Sequence, residues 1–420
     1  MDRRQAPTWG VLRRQGRRID RITLGSRTLA RLAQRGRVGA QLAWRLDLVR
    51  AARGTEGFRD LLPERTDRIA EGTWDAFFRR MWQEAADALG AEVTDLTAGF
   101  LALRRGRAKT IVWRSQVMLD DLVTLRMALD KALSYRFLED AGLPIPDHVE
   151  FVADDPRPAL AFLADSDGPC VVKPASGICG GEGVTCGVVS PDDLVRACVR
   201  SSRSSRRLLI ERQVSAGEYR LLFLDGELLD AIRRRPPAVI GDGRRTVKAL
   251  LGAENGRRQA SQGSGGLSSI DVDLDCLFTL RASGLTLTAV PAAGSHVKVK
   301  SALSANGPSE NETVHEIGSE LIQEAALAAH AMGVRLAGVD VITPDPLLPL
   351  REAGGVVAGV NGTPALEYHY LVDVPERATH VAIPILSKLL RSRQPTKDPG
   401  LGTDLAIDEH MAAARPECKQ

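Results

Sequence analysis

Val171-Val-Lys-Pro-Ala-Ser-Gly-Ile-Cys-Gly-Gly-Glu-Gly-Val-Thr185 reads as a short apolar strand carrying a lysine, a glycine-dense turn and a second strand. Gly177, Gly180, Gly181 and Gly183 let successive backbone N–H groups turn toward one point without Cβ obstruction. With Lys173 beside it, such a loop suits a polyphosphate. A glycine cluster alone also serves a tight turn, so the elements around it must decide between the two.

Outward from this stretch the pattern is of short strands and amphipathic helices. Trp74, Phe77, Phe78, Met81, Trp82, Ala85 and Leu89 recur at helical spacing after Thr73, with Gly90 as a stop, and their stripe reads as core. Strands are predicted at Glu92–Asp95, Phe100–Arg104 and Thr110–Trp113, with a turn over Gly106–Lys109. A second helix is predicted over Leu122–Ala141, closed by Gly142, Pro144 and Pro146. Helices at Ala159–Ala164 and Asp192–Ser201 flank the glycine loop. Strands follow at Arg207–Glu211, Tyr219–Leu224 and Glu227–Arg233, and Asp225-Gly226 marks a hairpin. Residues 252–270, rich in Gly, Ser and Asn, are expected to form a loop. A helix over Ile317–Met332, a strand over Leu336–Ile342, a proline-rich turn and a strand over Val356–Asn361 complete the pattern, and a weakly ordered tail is expected after Ser392.

The order of these parts resembles the ATP-grasp superfamily of carboxylate–amine ligases, and within it the ATP-grasp part of the cyanophycin synthetases. Asp130-Lys131 with Ala141–Pro146, Val172–Pro174 with its glycine loop, Glu211 with Gly217–Arg220, Arg234 with Gly241-Asp-Gly243 and Thr246-Val247, and Ala337–Val341 carry the likeness. It implies an α/β (α+β) ATP-grasp fold, with two antiparallel-sheet subdomains holding ATP over residues 126–395. A pre-ATP-grasp α/β domain over 71–125, an Arg-rich helical region over 1–70 and a tail over 396–420 would flank it. It further implies that Lys131, Lys173 and Gly177, Gly180, Gly181 and Gly183 meet ATP phosphates. Glu211, Gln213 and Val214 would lie at the adenine hinge, and Glu218 would hold the ribose. Arg220, Arg233 and Lys298 would face the γ-phosphate or the substrate carboxylate, and Asp340 and Asn361 would hold Mg²⁺. The reaction implied is amide or peptide bond formation through an acyl phosphate on an amino acid or short peptide, by a homo-oligomer.

One position departs from the pattern. The superfamily places Glu-x-Asn on the last strand, and here Gly359 stands two residues before Asn361, on the same strand face. Glu352 or Glu367 would have to compensate, or one ion would suffice. Alternatively the chain is a nucleotide-binding regulatory or scaffold protein derived from such a ligase. No GxxxxGK[ST] match is present and the chain leaves no room for a second ligase half, so a single-step ligase is expected.

Bulk properties exclude other classes. No apolar run approaches ~18 residues and the start lacks an apolar h-region, so no membrane partner is expected and the setting is read as cytoplasmic. The six cysteines show no CxxC pair, consistent with reduced thiols. Residues 1–60 contain fifteen Arg and five acids, which gives +10 there against +3 for the chain and leaves about −7 elsewhere. That arm is read as solvated helix faces rather than a nucleic-acid site, because no aromatic–basic interleaving in it suggests base stacking. His296, His315 and His369 are read as structural or surface groups, and Cys179 as space-filling in the loop.

Overall fold

The computed structural model describes residues 71–176, 183–260, 269–303 and 310–391. The Arg-rich region, the tail, Cys179 and three of the loop glycines (Gly177, Gly180 and Gly181) lie outside the described residues.

The chain enters with helix α1 (Glu71–Leu89) and the antiparallel meander β1 (Glu92–Asp95), β2 (Phe100–Arg105), β3 (Ala108–Trp113) and β4 (Gln116–Val117). The β2–β3 turn is tighter than its sequence reading, with only Gly106 and Arg107 outside the ladder. The aromatic stripe of α1 is core: Phe77, Phe78, Met81 and Trp82 pack on Leu101, Leu103 and Val112. Ile385, Leu386 and Leu389 of the last described helix, α9 (Ala382–Arg391), join the same core.

The predicted second helix is two. α2 (Leu122–Ala128) stops and α3 (Lys131–Asp140) restarts, because Asp130 adopts extended backbone and caps α3, accepting from the Leu133 N–H at 3.1 Å. Asp130 also bridges Ser176, and the Lys131 N–H donates to the Ala175 carbonyl at 2.8 Å. The break places Lys131 at a helix N-terminus, beside the end of the lysine strand.

Two antiparallel sheets follow. The first contains β5 (His148–Val152), β6 (Cys170–Pro174), β7 (Thr185–Val188) and β8 (Arg207–Arg212), in the order β5-β8-β6-β7. Helices α4 (Arg157–Ala164) and α5 (Pro191–Ser201) cover one face through Ala159, Leu163, Leu194 and Ala197. The second sheet contains β9 (Gly217–Leu224), β10 (Glu227–Arg234), then β13 (Asn311–Thr313), β14 (Leu336–Thr343) and β15 (Val356–Asn361). Their order is β13-β10-β9-β14-β15. The Asp225-Gly226 hairpin forms as read, with φ of 52° and 84°. Helix α8 (Ser319–Ala331) packs Leu321, Ala325, Ala328 and Ala329 against this sheet, and Gly333 follows it at φ +66°.

Inserted into the second sheet's sequence, between β10 and β13, lies a small unit, β11 (Ala238–Ile240) paired with β12 (His296–Lys298), under α6 (Val247–Ala260) and α7 (Leu274–Ala282). The expectation of a loop from residue 252 is corrected here. Val247, Leu250 and Leu251 bury against Val239 and Val297, which keeps the segment helical through Ala260 despite its Gly and Asn content. Residues 261–268 of that segment are outside the described ones.

Trp82 is fully buried, and its Nε1–H donates to the Arg114 carbonyl at 2.8 Å, so one side chain joins the α1 core to the end of the meander. Trp82→Ala is expected to cost about 3–5 kcal/mol. Urea unfolding measures this, and a loss below about 1 kcal/mol would contradict the packing.

Candidate functional site

A cleft of about 540 Å³ opens between the two sheets. Pairing fixes what faces it. On the first sheet, Val171 of β6 pairs with Glu211 of β8, and the Lys173 and Glu211 side chains meet in an ion pair of 2.6 Å. Both are buried, at 7% and 10% side-chain exposure. A buried pair of this kind persists only when its remaining hydrogen-bonding capacity is met. Tyr135 of α3 meets it: Lys173 Nζ donates to the phenol oxygen at 2.8 Å, and the phenol faces Glu211 Oε2 at 2.9 Å and the Ala358 carbonyl at 3.2 Å. Burial, and then the Glu211 charge, push the Tyr135 pKa well up, so it stays a neutral phenol.

On the second sheet, β9 lies beside β14 with Arg220 opposite Asp340. Their contact is a bidentate fork, Nε to Oδ1 at 2.7 Å and Nη2 to Oδ2 at 2.8 Å. Asn361 Nδ2 donates to Asp340 Oδ2 at 2.9 Å and to the Gly338 carbonyl at 3.1 Å. Burial opposes ionisation of Asp340. The Arg220 charge and hydrogen bonds, with Arg234 and Asn361, outweigh it and bring the carboxyl from 3.8 to about 2. A third pair is Glu218 with Arg234 at 3.2 Å. Burial raises the Glu218 pKa, partly offset by Arg234. Arg220 and Arg234 both stand over the Tyr368 ring, at 5.6 and 5.0 Å.

Lys131, Lys173, Glu211, Gln213, Val214, Glu218, Arg220, Arg233, Lys298, Asp340 and Asn361 all line this one cleft. Gln213 is tied to β7, its Oε1 accepting from the Gly187 N–H at 2.8 Å. Gly183, at φ +76°, leaves no room for a Cβ, which would meet Pro174 Cγ at 3.0 Å. Arg233 and Lys298 are exposed at the rim. Glu352 is exposed and does not line the cleft. Glu367 accepts from Ser115 Oγ at 2.9 Å, and burial raises its pKa. Neither replaces a carboxylate at Gly359. His296 and His315 are exposed. His369 is fully buried, with Nδ1 2.6 Å from Asp230.

Three residues at the site received no role from sequence: Arg234 and Tyr368, which line the cleft, and Tyr135, buried behind Lys173 and Glu211. Tyr135 had a signal, since it lies four residues after Lys131 and so shares its helix face. Arg234 was overshadowed by Arg233, although alternation along β10 buries Arg234 and exposes Arg233. Tyr368 follows the last strand in a short 3₁₀ turn, and its place depends on tertiary folding alone.

The donor set suits one hard cation. Asp340 offers a carboxylate and Asn361 a carboxamide, and phosphates and water would supply the rest. Among the described residues no three His, Cys, Asp or Glu side chains converge as a metal cluster. Cys186 also lines the cleft, but burial and then Asp275 push its thiol pKa well up, which removes it as a nucleophile. Among the described residues no helix is long and apolar enough to cross a membrane.

Comparison with known proteins gives sequence and fold relatives. No family model matches the chain. It is 30% identical over 255 residues to the cyanophycin synthetase of Trichormus variabilis, across 59% of this chain and 28% of that protein. It is 28% identical over 288 residues to the glutathione biosynthesis bifunctional protein GshAB of Pasteurella multocida, across 66% of this chain and 38% of that one. The crystal structure of a bifunctional glutathione synthetase from Pasteurella multocida superposes with a TM-score of 0.50 at 22% identity, over 76% of this chain and 44% of that one, which is a likeness of fold. The chain thus spans less than half the length of these relatives.

The Asp340 environment predicts an acid dependence. Its folded pKa lies below its ordinary one, so its contribution to stability is complete above about pH 3.8 and is lost as pH falls through about 2. Wild type and Asp340→Asn should therefore converge in urea midpoint as pH falls from 5 toward 2.5. A constant difference across that range would contradict the assignment.

Proposed function

The chain belongs to the ATP-grasp superfamily, and on that premise we propose that it is an ATP- and Mg²⁺-dependent carboxylate–amine ligase acting on an amino acid or short peptide. The observation that carries this is the opposition of two buried ion pairs across one cleft, Lys173–Glu211 on the first sheet and Arg220–Asp340 on the second. The likeness to a cyanophycin synthetase and to a glutathione biosynthesis protein supports a carboxylate–amine ligase.

The chemistry asked of these residues is positioning and charge neutralisation. A carboxylate oxygen attacks the γ-phosphorus and ADP leaves, giving an acyl phosphate. The amine then attacks the acyl carbon, phosphate leaves, and the amine proton passes to solvent. Lys131 and Lys173 would hold phosphates as compact charges, and Arg220, Arg233 and Lys298 would face the transferred phosphoryl or the acid. Asp340 and Asn361 would hold the magnesium ion, which supplies charge neutralisation on the phosphate oxygens. Glu211 to Val214 would border the adenine. Glu218 would reach the ribose by exchanging its contact with Arg234. The four described cysteines are free and buried, which supports a reducing, cytoplasmic setting.

Gly359 favours a second reading, a nucleotide-binding regulatory or scaffold protein of the same descent. On that reading Gly359→Glu creates or raises ATP turnover, and on the ligase reading it does not.

The test is incubation with ATP and a pooled panel of amino acids and dipeptides, with products read by mass spectrometry. ADP and phosphate release should require both an acid and an amine, and Lys173→Ala should lower it by on the order of 10²-fold. Nucleotide binding with no acid-dependent release would reject the ligase.

A further inference from the structure

The carboxylates that line the cleft, Glu211, Glu218 and Asp340, are each matched by a cation: Lys173, Arg234 and Arg220. Glu367 is different. Among the described residues its carboxylate takes part in no ion pair, and it meets a neutral hydroxyl, Ser115 Oγ at 2.9 Å. It lies in the 3₁₀ turn Leu366–His369, just past the Asp340–Asn361 end of the cleft. Asn361, Thr363, Ala365 and Tyr368 line the cleft, and Glu367, between the last two, turns toward the β3–β4 turn beside it and is half-exposed.

That β3–β4 turn is built to hold this carboxylate. Arg114 takes φ +52° there, and its carbonyl accepts from Trp82 Nε1. Ser115 Oγ donates to Glu367 and accepts from the Leu366 N–H at 3.2 Å. Next in the chain, the Tyr368 ring lies 5.6 Å from the Arg220 guanidinium that forks Asp340. Burial raises the Glu367 pKa, opposed by Ser115 and by the charges of Arg220 and Arg114.

The reaction brings one cationic substrate to this end of the cleft. A triphosphate and an acid are anions, and the lining cations meet them. An amine arrives as an ammonium, and it must lose a proton before its nitrogen can attack. The complement of an ammonium is a carboxylate with no cation of its own.

We propose that Glu367, held by Ser115, receives the ammonium of the amine substrate and takes its proton. This rests on the ligase reading above and names the group that serves its second step. The ammonium gives one proton to the Glu367 carboxylate, which releases it to solvent. The freed lone pair forms the C–N bond, the acyl C–O bond breaks with its electrons going to phosphate, and a further amine proton leaves on the phosphate.

Hydroxylamine separates the two steps, because it is uncharged at neutral pH and captures an acyl phosphate as a hydroxamate. With the full chain, ATP and the panel of amino acids and dipeptides, Glu367→Gln should lower amide formation roughly 10²-fold while hydroxamate formation persists. Ser115→Ala, which loosens the carboxylate without removing it, should also cut amide formation and spare the hydroxamate. Parallel loss of both products in either variant, or undiminished amide formation in Glu367→Gln, would overturn the assignment. If wild type makes neither amide nor hydroxamate, the ligase reading itself falls. If it makes both and Glu367→Gln affects them alike, only the role given to Glu367 falls.

Discussion

One buried hydroxyl ties the cleft together. The Tyr135 phenol belongs to α3, accepts from Lys173 of the first sheet, faces Glu211 beside it, and lies within reach of the Ala358 carbonyl on the second sheet. Taking the Lys173 and Glu211 charges out of water is costly, and their mutual attraction offsets this only when the leftover donors and acceptors are satisfied. Tyr135 supplies that satisfaction from an element that is part of neither sheet. The relative position of the sheets and the charge state of the cleft are thus coupled through one side chain.

The rest of the site follows the same rule of matched charge. Arg220 and Asp340 are brought together by the β9–β14 ladder, and Arg234 meets Glu218 across β9 and β10. Tyr368 lies beneath both guanidinium groups, where its ring face favours cations. These contacts hold donors at set positions before any ligand arrives, and preorganised charge of this kind stabilises a developing phosphoryl charge without rearrangement.

Much of the fold was legible in the sequence where the signal was local. The Asp225-Gly226 turn was readable because two consecutive residues must take positive φ. The α1 stripe was readable because its apolar residues repeat at helical spacing. Two readings failed for non-local reasons. Leu122–Ala141 has unbroken helical character, but the Asp130–Ser176 bridge and the Ala175 carbonyl, contributed from just past the lysine strand, split it. Residues 252–260 look loop-like by composition, but the apolar residues at the start of α6 dock on β11 and β12 and hold the helix together.

Sequence alone determined the strand order of chemistry: a lysine strand, a glycine turn, an acidic strand end, and a last pair of strands with Asp340, Asn361 and no carboxylate at 359. Those are properties of residue type and spacing. Tertiary structure alone decided which charges meet. It matched Lys173 with Glu211 and Arg220 with Asp340, placed Tyr135 between the sheets, and left Lys131 over Gly359. The physical reason is that a strand's alternation fixes the face a side chain takes. Its partner across a cleft is set by sheet register and by where a helix is made to restart.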